Sequence, residues 1–138
     1  MNEGITWVML TDGNFIKIMF NKVRGSELKT LRDGDFEHTS EIAYKMVTRK
    51  RALTMRNSGH DTLEEEQGFF LQMLADFLAK QQKLNAFQNL ILVAPGNIVD
   101  IVNKRLPETT KDKIVATVRE DFLLLSQDKI QEKLAGKY

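Results

Sequence analysis

The amino-acid sequence predicts an α/β fold: a mixed β-sheet with an N-terminal antiparallel meander and parallel strands flanked by helices. Apolar runs at 5–10 and 15–20 are separated by Thr-Asp-Gly-Asn at 11–14, and Asp-Gly between two such runs is a strong hairpin signal. The run Leu-Ile-Leu-Val at 90–93 is apolar on both pleat faces, as in an interior parallel strand covered by helices. Helical and strand patterns then alternate to the end of the chain, which is typical of a parallel α/β layer.

The N-terminal third continues as a meander after the hairpin. A turn at 23–26 leads to a third strand over 27–31, and a turn at 33–35 leads to a short edge segment over 36–39. Residues 40–47 are expected to start a short helix, because Ser40 is a favourable N-cap residue.

The clearest helix begins after residue 61 and is expected to end near Leu84 and Asn85. Thr62 as N-cap and Glu65 three residues later form a capping box. The helical spacing of the apolar residues predicts one buried face, made of Phe70, Leu74, Phe77, Leu78 and Leu84.

The C-terminal third supplies two helices, one turn and one strand. Asn97 is expected to cap a helix that buries Ile98, Val99, Ile101, Val102 and Leu106. Residues 108–112 are expected to form one turn, and 114–118 to form a strand. Ser126 is expected to cap a last helix, which packs inward and stops at Gly136.

Composition excludes several classes of protein. The 138 residues fit one domain spanning 1–138, and the absence of cysteine excludes disulfides, thiolate zinc sites and thiol catalysis. The start of the sequence has no secretory pattern and no run approaches a membrane span, so we expect a cytoplasmic protein without a membrane partner. His38 and His60 lack zinc-ligand spacing and no serine lies in a nucleophile elbow, so no metal, cofactor or catalytic residue is predicted.

Formal net charge is only +1, but the charges are segregated along the chain. Residues 42–56 contain no acid, whereas residues 61–76 contain no base. The basic residues of the first segment would neutralise RNA phosphates: Lys45, Arg49, Lys50, Arg51 and Arg56. The alternative is a solvated loop that pairs with the acidic residues at the start of the long helix.

A second candidate site lies where parallel strands end, because the C-terminal ends of such strands form the favoured ligand crevice. The residues expected there are Asp12, Pro95, Gly96, Asn97 and Asp121. If their strands are neighbours, the two aspartates would serve as acid and base or hold Mg²⁺, and the Gly-Asn pair would offer free N–H groups to an anion. The alternative is structural, because Asp-Gly suits a turn and Asn97 suits a helix cap.

Short motifs at both ends of the chain give a family resemblance. They are Trp7-Val8-Met9-Leu10-Thr11-Asp12-Gly13 with Ile16-Lys17-Ile18-Met19-Phe20, and then Phe87, Val93-Ala94-Pro95, Asp121 and Leu125-Ser126. These pieces resemble the bacterial host attachment protein group, relatives of the archaeo-eukaryotic release factors, over residues 5–32 and 63–135. The resemblance implies the fold of the release-factor middle domain.

Two departures from the family pattern limit what the resemblance implies about activity. The Gly- and Arg-rich loop of relatives is reduced to Arg-Lys-Arg-Ala-Leu-Thr-Met-Arg-Asn-Ser-Gly-His at 49–60, and no Gly-Gly-Gln occurs. Since that tripeptide supports peptidyl-tRNA hydrolysis in release factors, we expect a non-enzymatic binding module for ribosome or tRNA. The alternatives are a factor acting indirectly in attachment to host cells, and a small nucleotide- or Mg-dependent hydrolase using Asp12 and Asp121.

Overall fold

A computed structural model describes residues 4–23, 26–31 and 63–137 of the chain. Within these residues five strands form one sheet: β1 (Thr6–Thr11), β2 (Ile16–Asn21), β3 (Lys29–Thr30), β4 (Asn89–Val93) and β5 (Ile114–Val118). Four helices accompany it: α1 (Leu63–Lys83), α2 (Ile98–Arg105), α3 (Glu108–Lys111) and α4 (Gln127–Leu134). The predicted edge segment, short helix and basic loop between residues 32 and 62 lie outside the described residues.

The strand order β3-β2-β1-β4-β5 confirms the predicted mixed sheet. β1 pairs with β2 antiparallel, β2 with β3 antiparallel, and β4 lies between β1 and β5 and runs parallel to both. One row of partners, Lys29-Phe20-Trp7-Leu90-Ile114, crosses all five strands near the N-terminal ends of β1, β4 and β5. The interior position predicted for the strand at 90–93 is therefore correct.

Helices cover both faces of the sheet, which explains why the residues of β4 at 90–93 are apolar whichever face they point to. One face packs against α1 and α2 through a cluster that includes Trp7, Phe77 and Phe87, with ring centroids of Trp7 and Phe87 5.1 Å apart. The other face packs against Ile130 and Leu134 of α4. Burial of these large side chains is the main favourable contribution to folding.

α1 follows the predicted face with one exception. Phe70, Leu74, Phe77 and Leu78 are buried, but Leu84 is 39% exposed. The prediction was wrong for Leu84 because the helix ends at Lys83 and the chain turns away through Asn85, whose φ is +61°. A left-handed residue at this position is a common way to terminate a helix.

β3 is shorter than the predicted strand over 27–31, because residues before it bond to α4 instead of to β2. The Leu28 N–H donates to Gln131 Oε1 at 2.7 Å, and Gln127 Nε2 donates to the Leu28 carbonyl. α4 itself begins as predicted, with Ser126 Oγ accepting from the Lys129 N–H at 3.2 Å, and Gly136 follows its end with φ +81°. The two glutamines therefore hold the last helix to a segment about a hundred residues earlier.

No helix in the described part of the chain combines the length and apolar content needed to cross a membrane.

Candidate functional site

The crevice predicted from the sequence corresponds to the edge of the sheet where β1, β4 and β5 end. Leu10 of β1 pairs with Val93 of β4, and Val93 pairs with Val118 of β5, so the three strands end at one level. Because β4 lies between β1 and β5, the segments after those two strands are separated by two strand spacings, about 10 Å. Asp12 and Asp121 therefore follow strands that are not neighbours, and the condition for a facing carboxylate pair is not met.

Asp12 is engaged in the hairpin turn. Its Oδ1 accepts from the N–H groups of Asn14 at 2.8 Å and Phe15 at 2.9 Å. Gly13 has φ +95°, a conformation that glycine adopts without strain. The Asp-Gly turn thus forms for the reason the sequence suggests, and the carboxylate closes it.

Gly96 and Asn97 form an exposed corner between β4 and α2. Gly96 has φ +54°, and Asn97 occupies the N-cap position without a side-chain hydrogen bond. The predicted capping bond is wrong because Asn97 has helical angles, φ −85° and ψ −1°, whereas a capping side chain acts from extended backbone. The Pro95 carbonyl accepts from the Ile98 N–H at 3.2 Å, so the turn begins one residue earlier through main-chain bonding.

Asp121 lies in the exposed loop after β5. Its Oδ1 accepts from the Leu123 N–H at 3.0 Å, which turns the chain toward the buried Phe122. Like Asp12, it orders its own loop through a local hydrogen bond.

An ion pair that the sequence analysis did not predict lies at this edge. Arg119, directly after β5, donates from Nη1 and Nη2 to the two carboxylate oxygens of Asp100 at 2.7 Å each, and Nη1 also approaches the Gly96 carbonyl at 3.4 Å. The bidentate bond to Arg119 lowers the pKa of Asp100, and the same bond raises the pKa of Arg119. The pair joins the start of α2 to the exit of β5.

The pair was missed because its members lie 19 residues apart in different elements. The available signal was positional: Asp100 falls in the first turn of a predicted helix and Arg119 immediately follows a predicted strand. Both positions belong to the same edge of a parallel layer.

The other predicted site residues lie outside the described residues. They are the basic residues Lys45, Arg49, Lys50, Arg51 and Arg56. Among the residues that the structure describes, no group of three or more His, Asp or Glu side chains could hold a metal ion.

The mixed sheet and its helix layers define an α/β domain of the kind that the sequence predicts. The model of the Bacterial archaeo-eukaryotic release factor family 12 matches residues 5–134, and the chain belongs to this family. The release-factor relationship expected from the sequence is confirmed, whereas the host-attachment name is not part of the matching description.

One similar solved structure is that of an archaeal translation termination factor, aRF1, at 12% sequence identity and a TM-score of 0.44. The match covers 94% of this chain and 37% of that chain, so this chain spans well under half of the factor. No curated protein matches the sequence.

Proposed function

We propose that this chain is a release-factor-like binding domain that associates with ribosome or tRNA in the bacterial cytoplasm. The observation that carries the proposal is the family match, which spans residues 5–134 and thus all the described strands and helices. Because the family is related to the release factors, ribosome and tRNA are the first partners to test.

The proposed role is binding, without hydrolysis of peptidyl-tRNA. The 138 residues contain no Gly-Gly-Gln, and in fact no two adjacent glycines. Asp12 and Asp121 each accept a backbone N–H in their own turn and follow strands separated by β4, so their geometry does not favour the hydrolase alternative. No observation favours a role in attachment to host cells.

The sequence indicates one surface for contact with RNA, the basic segment at residues 42–56. Its five cations are Lys45, Arg49, Lys50, Arg51 and Arg56, and residues 42–56 contain no carboxylate. Contacts of this kind would neutralise phosphates without reading bases. If all five met phosphates, binding to single-stranded RNA would weaken roughly a hundredfold between about 50 and about 200 mM salt.

Co-sedimentation with purified ribosomes across a salt series tests the proposal. We expect the wild-type protein to pellet with ribosomes at low salt and to be released as salt rises. Failure of the wild-type protein to bind ribosomes or tRNA at the lowest salt would refute the proposed function.

A matched pair of variants tests the basic segment separately. The variant Arg49→Ala/Lys50→Ala/Arg51→Ala should lose most of the salt-dependent binding. The control Lys104→Ala/Lys129→Ala/Lys137→Ala removes the same charge from three exposed positions on other elements. Equal retention of the two variants would remove the basic segment from the proposal while leaving ribosome binding intact.

A further inference from the structure

The strand order leaves β5 at one border of the sheet. At the other border β3 has only two residues, and short border strands resist pairing with other chains. β5 has five residues, Ile-Val-Ala-Thr-Val, and pairs only with β4 in the described part of the chain. It contains neither proline nor a charged residue, two features that protect such strands in many proteins. We call the side of β5 that faces away from β4 its outer edge.

The residues of β5 remain partly accessible to solvent. All five residues of β4 are buried, whereas the first three residues of β5, at 114–116, are only half-buried. Thr117 is exposed, and Val118 alone is buried. Apolar surface therefore remains on this strand, and a further strand at its outer edge would remove part of that surface from water.

The main-chain groups of Thr117 point to the outer edge. The Ala94 N–H donates to the Val118 carbonyl at 3.0 Å, so Val118 directs its main-chain groups toward β4. Because neighbouring residues of a strand direct these groups to opposite sides, those of Thr117 and Arg119 point away from β4. In the described part of the chain no hydrogen bond uses these outward main-chain groups. Thr117 therefore offers one donor and one acceptor to a further strand.

A bulge limits the part of β5 that could pair with another strand. Leu90 pairs with Ile114, but Ile91 pairs with Ala116, so Val115 is an extra residue in β5. Bulges interrupt pairing and help to protect border strands. The regular part of β5 is therefore 116–118, and its central residue is the one whose main-chain groups point outward.

A second, antiparallel copy of β5 would satisfy this outer edge about a twofold axis at Thr117. Across the axis, Thr117 and the partner's Thr117 would exchange two N–H···O bonds, and their side chains would lie on the same face. Threonine pairs in this position contribute to the stability of a sheet. Because a twofold axis repeats each contact, one strand supplies both sides of the interface.

The charges that flank β5 favour the same register. Counted from Thr117, Lys113 would lie opposite the partner's Asp121, or opposite the partner's Glu120 when the bulge residue is left out of the count. Both acidic residues are exposed, and opposite charges attract in either alignment. An axis one residue earlier would place neither carboxylate opposite Lys113. The formal net charge of the chain is only +1, so two copies repel each other little.

We propose that two copies of this chain associate through β5, antiparallel about Thr117, so that their two sheets continue into one. The partner is a second copy because the strand and its flanking charges complement themselves about this axis. The inference goes beyond the proposed function and does not depend on it, since its contacts lie on β5 and not on the basic segment.

Sedimentation equilibrium over a range of protein concentrations is the first test. The mean mass of the wild-type protein should rise from 15.9 kDa toward twice that value as the concentration increases. Thr117→Pro removes an N–H that crosses the axis and makes no bond to β4, so this variant should stay at the mass of one chain. Thr117→Val keeps the N–H and should still associate, and thermal melts check that both variants fold.

A charge exchange tests the register. Lys113→Glu should weaken association by about tenfold, because it turns two attractive pairs into repulsive ones. Glu120→Lys/Asp121→Lys should weaken association in the same way. The combined variant Lys113→Glu/Glu120→Lys/Asp121→Lys reverses each pair and should restore association. Absence of this restoration would overturn the proposed register.

A single cysteine locates the axis directly. The 138 residues contain no cysteine, so an introduced thiol has no background. Thr117→Cys should form a disulfide-linked dimer under mild oxidation, because opposite residues of an antiparallel pair have Cβ atoms about 4.5–5.5 Å apart. Lys104→Cys, at an exposed position of α2, is the matched control and should remain a single chain.

Three results would overturn the inference. The first is a wild-type protein that stays at the mass of one chain at every concentration, which would leave β5 solvated or free for a strand of another protein. The second is a dimer that persists in Thr117→Pro, which would place the interface elsewhere. The third is equal formation of disulfide-linked dimers by Thr117→Cys and Lys104→Cys, which would indicate random collision.

Discussion

Replacement of Gln131 by alanine should destabilise the protein by about 1–3 kcal/mol. Gln131 Oε1 accepts the Leu28 N–H at 2.7 Å, and Leu28 is fully buried, so truncation leaves a backbone donor without its partner. The second bond, from Gln131 Nε2 to the Ser26 carbonyl at 3.4 Å, is long and exposed and contributes little. For a chain of this size the loss corresponds to roughly 3–12 °C in the melting temperature.

The variant Gln131→Glu distinguishes the contributions of the two hydrogen bonds to stability. A carboxylate still accepts from the Leu28 N–H but cannot donate to Ser26, so this variant should retain at least half of the stability that alanine loses. Urea denaturation measures both variants, and an unchanged m value shows that the midpoint shift reports stability. The reasoning fails if alanine costs less than about 0.5 kcal/mol, the usual range for surface substitutions, or if glutamate costs as much as alanine.

Three other variants address the core, the ion pair and the corner after β4. Phe87→Ala should lower the free energy of unfolding, measured by urea denaturation, by about 3–5 kcal/mol, because Phe87 is only 1% exposed. Phe15→Ala should cost far less, because Phe15 is 52% exposed. Similar losses for the two variants would contradict the assigned core. Asp100→Asn should lower the melting temperature most near neutral pH. Arg119 lowers the pKa of Asp100 in the native state, so the pair stabilises the native state at every pH above the pKa that Asp100 has in the unfolded chain. This stabilisation disappears as pH falls through the lower pKa of the native state. A difference in melting temperature between wild type and variant that persists at about pH 2 would contradict the argument. Gly96→Ala should destabilise the protein by about 1 kcal/mol, because alanine is strained at a φ of +54°. A steric clash does not contribute, since no non-neighbouring atom lies within 4 Å of an added Cβ. An unchanged melting temperature would show that the backbone at residue 96 adjusts to the alanine.

The β-sheet could be predicted because its signals are local. The hairpin follows from Asp-Gly between two apolar runs, and the interior strand follows from four consecutive apolar residues before Pro95. The strand at 114–118 has the predicted bounds. In each case the pattern that identifies the element lies within the element or its flanking turn.

The errors arose where tertiary contacts or backbone geometry decide the outcome. Leu84 continues the helical spacing, but the helix ends one residue before it. Leu28 has strand-like neighbours, yet its N–H bonds to a glutamine 103 residues later and not to β2. Asn97 stands at the expected cap position, but its helical backbone angles keep the side chain from capping.

The candidate site was predicted less completely than the fold. Strand ends could be located, and with them Asp12, Gly96, Asn97 and Asp121, but the sequence did not show that β4 would separate the two aspartates. The Arg119–Asp100 pair depends on strand order and register, which bring together residues far apart in the chain.

The parallel pairing of β1 with β4 has a consequence for folding during synthesis. Thr6 pairs with Asn89, a separation of 83 residues, so the first strand remains without this partner until a further 83 residues have been made. At bacterial elongation rates of up to about 20 residues per second, the wait is at least about 4 s. During that interval the edge of β1 that pairs with β4 is open, and unpaired strand edges of this kind are prone to non-native association.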